Sequence, residues 1–176
     1  RGRDGGGILN HASLSMENVR VTGNQAGAAS TSADYSGDGG GIFNNEGSLV
    51  LTLVEIMDNE TANGPYGTYN GVDGGHGAGI YSRGGTVSLT DSQVTGNSTG
   101  NGGDGGTGLN SYGGDGGSGG GIYLSTGADI TATRTLIELN NTGAGGYGNR
   151  YPNGYGGAGG AGAGIYVADG TLTLVD

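Results

Sequence analysis

Carboxylates are the side chains here that could do chemistry. Glycoside cleavage needs two at a fixed separation, one to protonate the leaving oxygen and one as base or nucleophile. Glu17, Glu55, Asp91, Asp129 and Glu138 fall in segments that alternate like strands. They sit at different offsets, each isolated from the others. All six basic residues are arginine, so no lysine can serve as a base. His11 and His76 fall in turns without a Cys, Asp or Ser companion. A catalytic site needs such groups clustered, so an enzyme is not expected.

A second set of acids lies among glycines: Asp38, Asp73, Asp104 and Asp115. Stacked carboxylates with backbone carbonyls would suit Ca²⁺, a hard cation that takes oxygen ligands. The Ca²⁺-binding repeat Gly-Gly-x-Gly-x-Asp recurs in nine-residue units, and this spacing departs from it. Turn formation is the preferred role for these aspartates, and no cofactor is expected. Tyrosines share the same stretches: Tyr35, Tyr66, Tyr69, Tyr112, Tyr147, Tyr151 and Tyr155. A mere spacer has no use for them.

The elements that would position these residues come from a repeat. A glycine run followed by Ile recurs at Ile8, Ile42, Ile80, Ile122 and Ile165, at spacings of 34, 38, 42 and 43 residues. After each Ile comes a Leu-x-Leu type segment, such as Leu49–Leu51 or Val87–Leu89, then a short segment ending in Asn. Those asparagines are Asn24, Asn59, Asn97 and Asn140. Apolar residues two apart, bounded by Gly, Asn and Asp, read as short strands with one buried face. Each repeat holds about three of them, and none shows the spacing of a helix.

Three short strands per repeat predict an all-β fold, a single-chain parallel β-helix of about 4.5 coils. Its coils start near residues 5, 39, 77, 119 and 162, and residues 1–176 form one domain. Right-handed winding follows the usual crossover preference. The isoleucines would stack as an inner ladder, and the asparagines as a corner ladder with left-handed backbone. Strand alternation points the next residue outward, so Phe43, Tyr81, Tyr123 and Tyr166 would form an outer aromatic stripe. The variable parts are Gly-rich insertions at 25–41, 60–79, 98–121 and 142–164. They leave the coil at one corner and are expected to layer into a second lobe covering that stripe.

Composition narrows the partners. Glycine supplies 47 of 176 residues, far above a usual share of roughly 7%. No Gly-X-Y period runs through the chain, which excludes collagen. There is no cysteine, hence no disulfide or thiolate site. The net charge of −10 argues against nucleic acid and anionic membranes. No apolar run of membrane-spanning length occurs. Thr-x-Thr appears only at Thr131–Thr133, its overlap Thr133–Thr135, and Thr171–Thr173, too little for a flat ice-matching face.

Gly-Gly-Gly-Ile-Phe-Asn at Gly39–Asn44, with Val94-Thr95-Gly96-Asn97, resembles the right-handed β-helix repeats of bacterial cell-surface proteins. These include autotransporter passengers and the polymorphic membrane protein family, whose repeats carry Gly-Gly-Ala-Ile. Gly77-Ala78-Gly79-Ile80 and Gly162-Ala163-Gly164-Ile165 come nearest to that motif. The family's Phe-x-x-Asn has no copy here, and Val21-Thr22-Gly23-Asn24 and its equivalents stand in its place. The resemblance covers about half of each repeat. It implies the fold and an extracellular or cell-surface setting, and no catalytic residues. The expected role is structural: a segment of a longer chain, or a subunit that stacks on itself end to end into a fibre or surface layer. The alternative is an adhesin whose Gly/Tyr loops bind glycans or another cell. A polysaccharide-active enzyme ranks third.

Overall fold

The computed structural model describes residues 2–29, 35–149 and 153–176. Of the tyrosines singled out above, Tyr151 lies outside these residues. The first coil comprises β1 (Ile8–Asn10), β2 (Ser13–Glu17) and β3 (Arg20–Thr22), and the second β4 (Ile42–Asn45), β5 (Ser48–Thr52) and β6 (Glu55–Met57). The third comprises β7 (Ile80–Arg83), β8 (Thr86–Thr90) and β9 (Gln93–Thr95), and the fourth β10 (Ile122–Ser125), β11 (Ala128–Thr133) and β12 (Leu136–Glu138). β13 (Ile165–Val167) and β14 (Gly170–Val175) follow. They form three parallel sheets, ordered β1-β4-β7-β10-β13, β2-β5-β8-β11-β14 and β3-β6-β9-β12. The fold is a parallel β-solenoid.

Register keeps like over like. Ile8, Ile42, Ile80, Ile122 and Ile165 pair in one column. Leu14, Leu49, Val87, Ile130 and Leu172 pair in another. Slipping a strand by one residue would turn this apolar set outward. The core therefore holds the register as well as the stability: Ile42, Leu49, Ile56, Ile80, Leu89 and Ile122 have no exposed surface.

The corners need left-handed backbone, but the asparagines do not supply it. Gly23, Asp58, Gly96 and Leu139, each one residue earlier, have φ of 65°, 53°, 67° and 54°. The expectation of left-handed asparagines is corrected accordingly. Asparagine is selected at this column for its amide.

The glycine insertions are layered beside the coil. No Gly-X-Y period runs through the whole chain, yet inside the insertions glycine recurs every third residue. Examples are Gly100, Gly103 and Gly106 going out, and Gly114 and Gly117 coming back. Exposure follows the same period from 101 to 108: exposed, intermediate, buried, repeated. A threefold repeat in extended chain is polyproline II-type geometry, so each insertion is an outgoing and a returning arm. Within a triplet one residue bonds along the stack: Gly102 N–H donates to Ala144 O at 2.8 Å and Gly105 N–H to Tyr147 O at 2.7 Å. The next bonds across to the opposite arm: Gly103 N–H to Val72 O and Gly114 N–H to Gly103 O, both at 2.8 Å. Gly146 N–H to Gly114 O and Gly157 N–H to Gly146 O, both at 2.9 Å, continue the zigzag. Glycine is required here by space: a Cβ on Gly103 would meet Pro65 O at 2.0 Å, and one on Gly157 would meet Gly114 O at 1.9 Å.

Candidate functional surfaces

Each ladder asparagine closes a network between coils. Asn59 Oδ1 accepts from Asn24 Nδ2, Asn97 Oδ1 from Asn59 Nδ2, and Asn140 Oδ1 from Asn97 Nδ2, at 2.9, 3.0 and 2.9 Å. The same oxygens accept the backbone N–H of the asparagine before, each at 3.0 Å. Asn59 Nδ2 also donates to Val21 O at 2.9 Å. Asn59 and Asn97 are fully buried, which leaves them no room to bind a ligand or accept a glycan.

A shorter ladder has little signature in the sequence. Asn10 Nδ2 donates to Asn44 Oδ1 at 2.7 Å, Asn44 Nδ2 to Ser82 Oγ at 3.0 Å, and Ser82 Oγ to Gly84 O at 3.0 Å. Its only sequence signal is a polar residue two places after each of the first three anchor isoleucines.

The outer aromatic stripe is a stack. Phe43 and Tyr81 lie 4.9 Å apart at 4°, Tyr81 and Tyr123 4.9 Å apart at 6°. Tyr123 and Tyr166 are 5.2 Å apart and tilted by 31°. The returning arm covers part of it. Glycines open each strand beneath it, where a Cβ on Gly77 would meet the Tyr81 Cβ at 2.8 Å. His76, on that arm, stacks on Tyr123 at 4.8 Å, and its Nδ1 accepts the Ser118 N–H at 2.9 Å. His76 is thus a packed structural residue, held by Tyr123 and Ser118, where the sequence showed no companion for it. Burial lowers its pKa, opposed by the charges of Asp73 and Asp115. Burial likewise raises Tyr81, and pushes the Tyr123 phenol up to about 12.

The strand acids are not brought together. Instead, register brings arginines of neighbouring coils to two of them. Arg20 pairs with Glu55, and Arg134 forks onto Asp91 through Nε and a terminal nitrogen, at 2.6 and 2.8 Å. That contact lowers the Asp91 pKa, the hydrogen bond being the larger cause.

The aspartates of the insertions sit in extended arms, so the turn-forming role is corrected. Each points out as the third residue of a triplet, and its carboxylate accepts a backbone N–H one coil further on. Asp38 accepts from His76, Asp73 from Asp115, Asp104 from Tyr147 and Asp115 from Ala158, all at 2.7 Å. Asn63 and Asn101 do the same for Asn101 and Ala144, at 2.7 and 2.8 Å. Side chains thereby satisfy the one N–H per triplet that neither arm can reach. A shallow cleft of about 290 Å³ is lined by Tyr35, Ser36, Asp38, Asp73, Gly74 and His76. Its two carboxylates already accept backbone N–H groups. Among the described residues no three acidic or histidine side chains converge to hold a metal ion.

Two surfaces remain open. Tyr66, Tyr69, Tyr112, Tyr147 and Tyr155 are exposed on the arms, and Tyr112 stacks on Tyr155 at 6.1 Å and 13°. The outward face of the second sheet is rich in hydroxyls: Thr131 pairs with Ser88 and Thr173, and Thr133 with Thr90. Val50, Asp129 and Val175 interrupt that array. No protein-family model, curated protein or solved structure matches the chain.

Proposed function

We propose that this chain is a structural segment of an extracellular or cell-surface solenoid, of the bacterial kind its repeats resemble. Further coils, of the same polypeptide or of a second copy, continue its hydrogen-bond ladders into a fibre or surface layer. One observation carries the reading: the glycine arms are spent on each other. Their N–H groups bond along and across the stack, and their outward Asp and Asn side chains cap the next layer. Loops built to grip a ligand would keep such groups free. A non-enzymatic role also agrees with the scattered strand carboxylates, two of which are held in ion pairs between coils.

The role is mechanical. Neighbouring coils are tied in two or three sheets and through the glycine arms, so stretching or bending the rod must break many bonds together. Electron microscopy of native material tests this. Fibres with a subunit rise of about 20 Å, from four to five coils at strand spacing, are expected for a polymer. A longer rod with the same coil spacing of about 4.8 Å is expected for one long chain. Discrete particles without a continuing axial repeat would overturn the reading.

The exposed arm tyrosines favour a second reading, an adhesin that offers aromatic faces to sugar rings. Loss of glycan or cell binding on Tyr66→Ala and Tyr147→Ala would support it; binding unchanged by both would remove it.

A further inference from the structure

The stacked pair Tyr112 and Tyr155 has geometry that the structural role does not need. The two residues open the returning arms of consecutive insertions, aligned by Gly113 N–H donating to Tyr155 O at 2.9 Å. Tyr112 N–H is fixed in turn by Asn70 Oδ1 at 3.1 Å. Their rings lie 6.1 Å apart at 13°, with residue exposures of 43% and 68%. Among the described residues this is the one tyrosine–tyrosine stack whose members are both exposed. Tyr66 and Tyr147 share an outward column too, but Asp104 intervenes: Gly67 N–H bonds Asp104 O and Gly105 N–H bonds Tyr147 O. They are two layers apart, about 10 Å at strand spacing.

We propose that Tyr112 and Tyr155 form an oxidative cross-linking site, joined as dityrosine by a one-electron oxidant of the peroxidase class with hydrogen peroxide. Each phenol gives one electron to the oxidant and its proton to solvent. The two radicals couple through the ring carbons ortho to oxygen. The new bond's two ring hydrogens then move to the oxygens and aromaticity returns. The protein loses two hydrogen atoms, and one hydrogen peroxide becomes two water molecules. The chain has no Cys and no Trp to intercept the radicals. The product staples the third and fourth layers covalently.

The inner stack is a built-in comparison. Tyr81 and Tyr123 are closer, at 4.9 Å, but half-buried in a parallel column. The Tyr81 hydroxyl is tied to Ser125 Oγ at 3.1 Å. Proton loss is hindered there, since burial holds both phenols above their ordinary pKa. The rings also cannot swing edge to edge, as ortho coupling demands, while Tyr112 and Tyr155 can.

Coupling at this pair needs only two exposed, aligned rings and is independent of the structural role. Dilute full-length protein is treated with peroxidase and hydrogen peroxide, then followed by dityrosine fluorescence, intact mass and peptide mapping. The expected product is monomeric, two hydrogens lighter, with one cross-linked peptide joining Tyr112 to Tyr155. Tyr112→Phe and Tyr155→Phe, shown by circular dichroism to be folded, should each lose that product, whereas Tyr147→Phe should keep it. Cross-links spread over other tyrosines, dimers alone, no dityrosine, or full yield in Tyr112→Phe would each overturn the proposal.

Discussion

Asn97 Oδ1 accepts two hydrogen bonds from Asn59, one from its backbone N–H and one from its Nδ2, each at 3.0 Å. One carbonyl oxygen thus ties coil to coil in a place water does not reach. Asn97→Ala leaves both donors of Asn59 without that acceptor, at about 1–3 kcal/mol for a buried unsatisfied group. The expected loss is about 2–4 kcal/mol, read as a lower denaturant midpoint. A midpoint unchanged from wild type would show that the ladder is decorative.

The arms make a sharper prediction. Gly103→Ala places a Cβ 2.0 Å from Pro65 O, so the arms must part. Overpacking of this kind costs about 1–3 kcal/mol or more. Thr107→Ala, on the exposed side of the same arm, should stay within about 0.5 kcal/mol of wild type. Equal stability of the two variants would mean that the arms do not touch.

His76 adds a pH dependence. Burial holds its folded pKa below the ordinary value of 6.5. Between those two values the unfolded chain binds the extra proton, so stability is lost as pH falls below 6.5 towards the folded pKa. Asp73 and Asp115 pull the other way and reduce the shift. His76→Gln should flatten this part of the pH profile in urea unfolding. A profile unchanged by the substitution would contradict the placement of His76 against Tyr123.

Leu139 is a stabilisation target. Its φ is 54° and it is 81% exposed. Left-handed backbone costs a residue with a Cβ roughly 1–2 kcal/mol, and asparagine tolerates it better. Leu139→Asn should therefore gain about 0.5–1 kcal/mol, visible as a higher melting temperature. A lower one would mean that Leu139 packs in the folded chain.

The coil could be read from the sequence because its signals are local. Ile80, Val87, Leu89 and Val94 lie at short fixed offsets and alternate as strands do, so periodicity reveals the buried face. Asn59 and Asn97 show as recurrences, but the sequence does not say that the left-handed residues are their neighbours Asp58 and Gly96. The arms follow a different period. Gly102–Gly103 and Gly105–Gly106 mark it, but a run so rich in glycine reads first as low complexity. The partners of Asp73 and Asp104 were out of reach for another reason: Asp115 N–H and Tyr147 N–H lie 42 and 43 residues away. So does Arg134, 43 residues from Asp91. Such pairs emerge only once register is known, and register depends on insertions whose lengths differ.

The glycine insertions are ordered arms and not slack loops. Amide hydrogen exchange resolved by residue tests it directly. Gly103, Gly114 and Gly146, whose N–H groups bond across the arms at 2.8–2.9 Å, are expected to exchange as slowly as Ile80 and Ile122 in the coil. Exchange of these glycines at the rate of an unstructured chain, beside a protected coil, would contradict it.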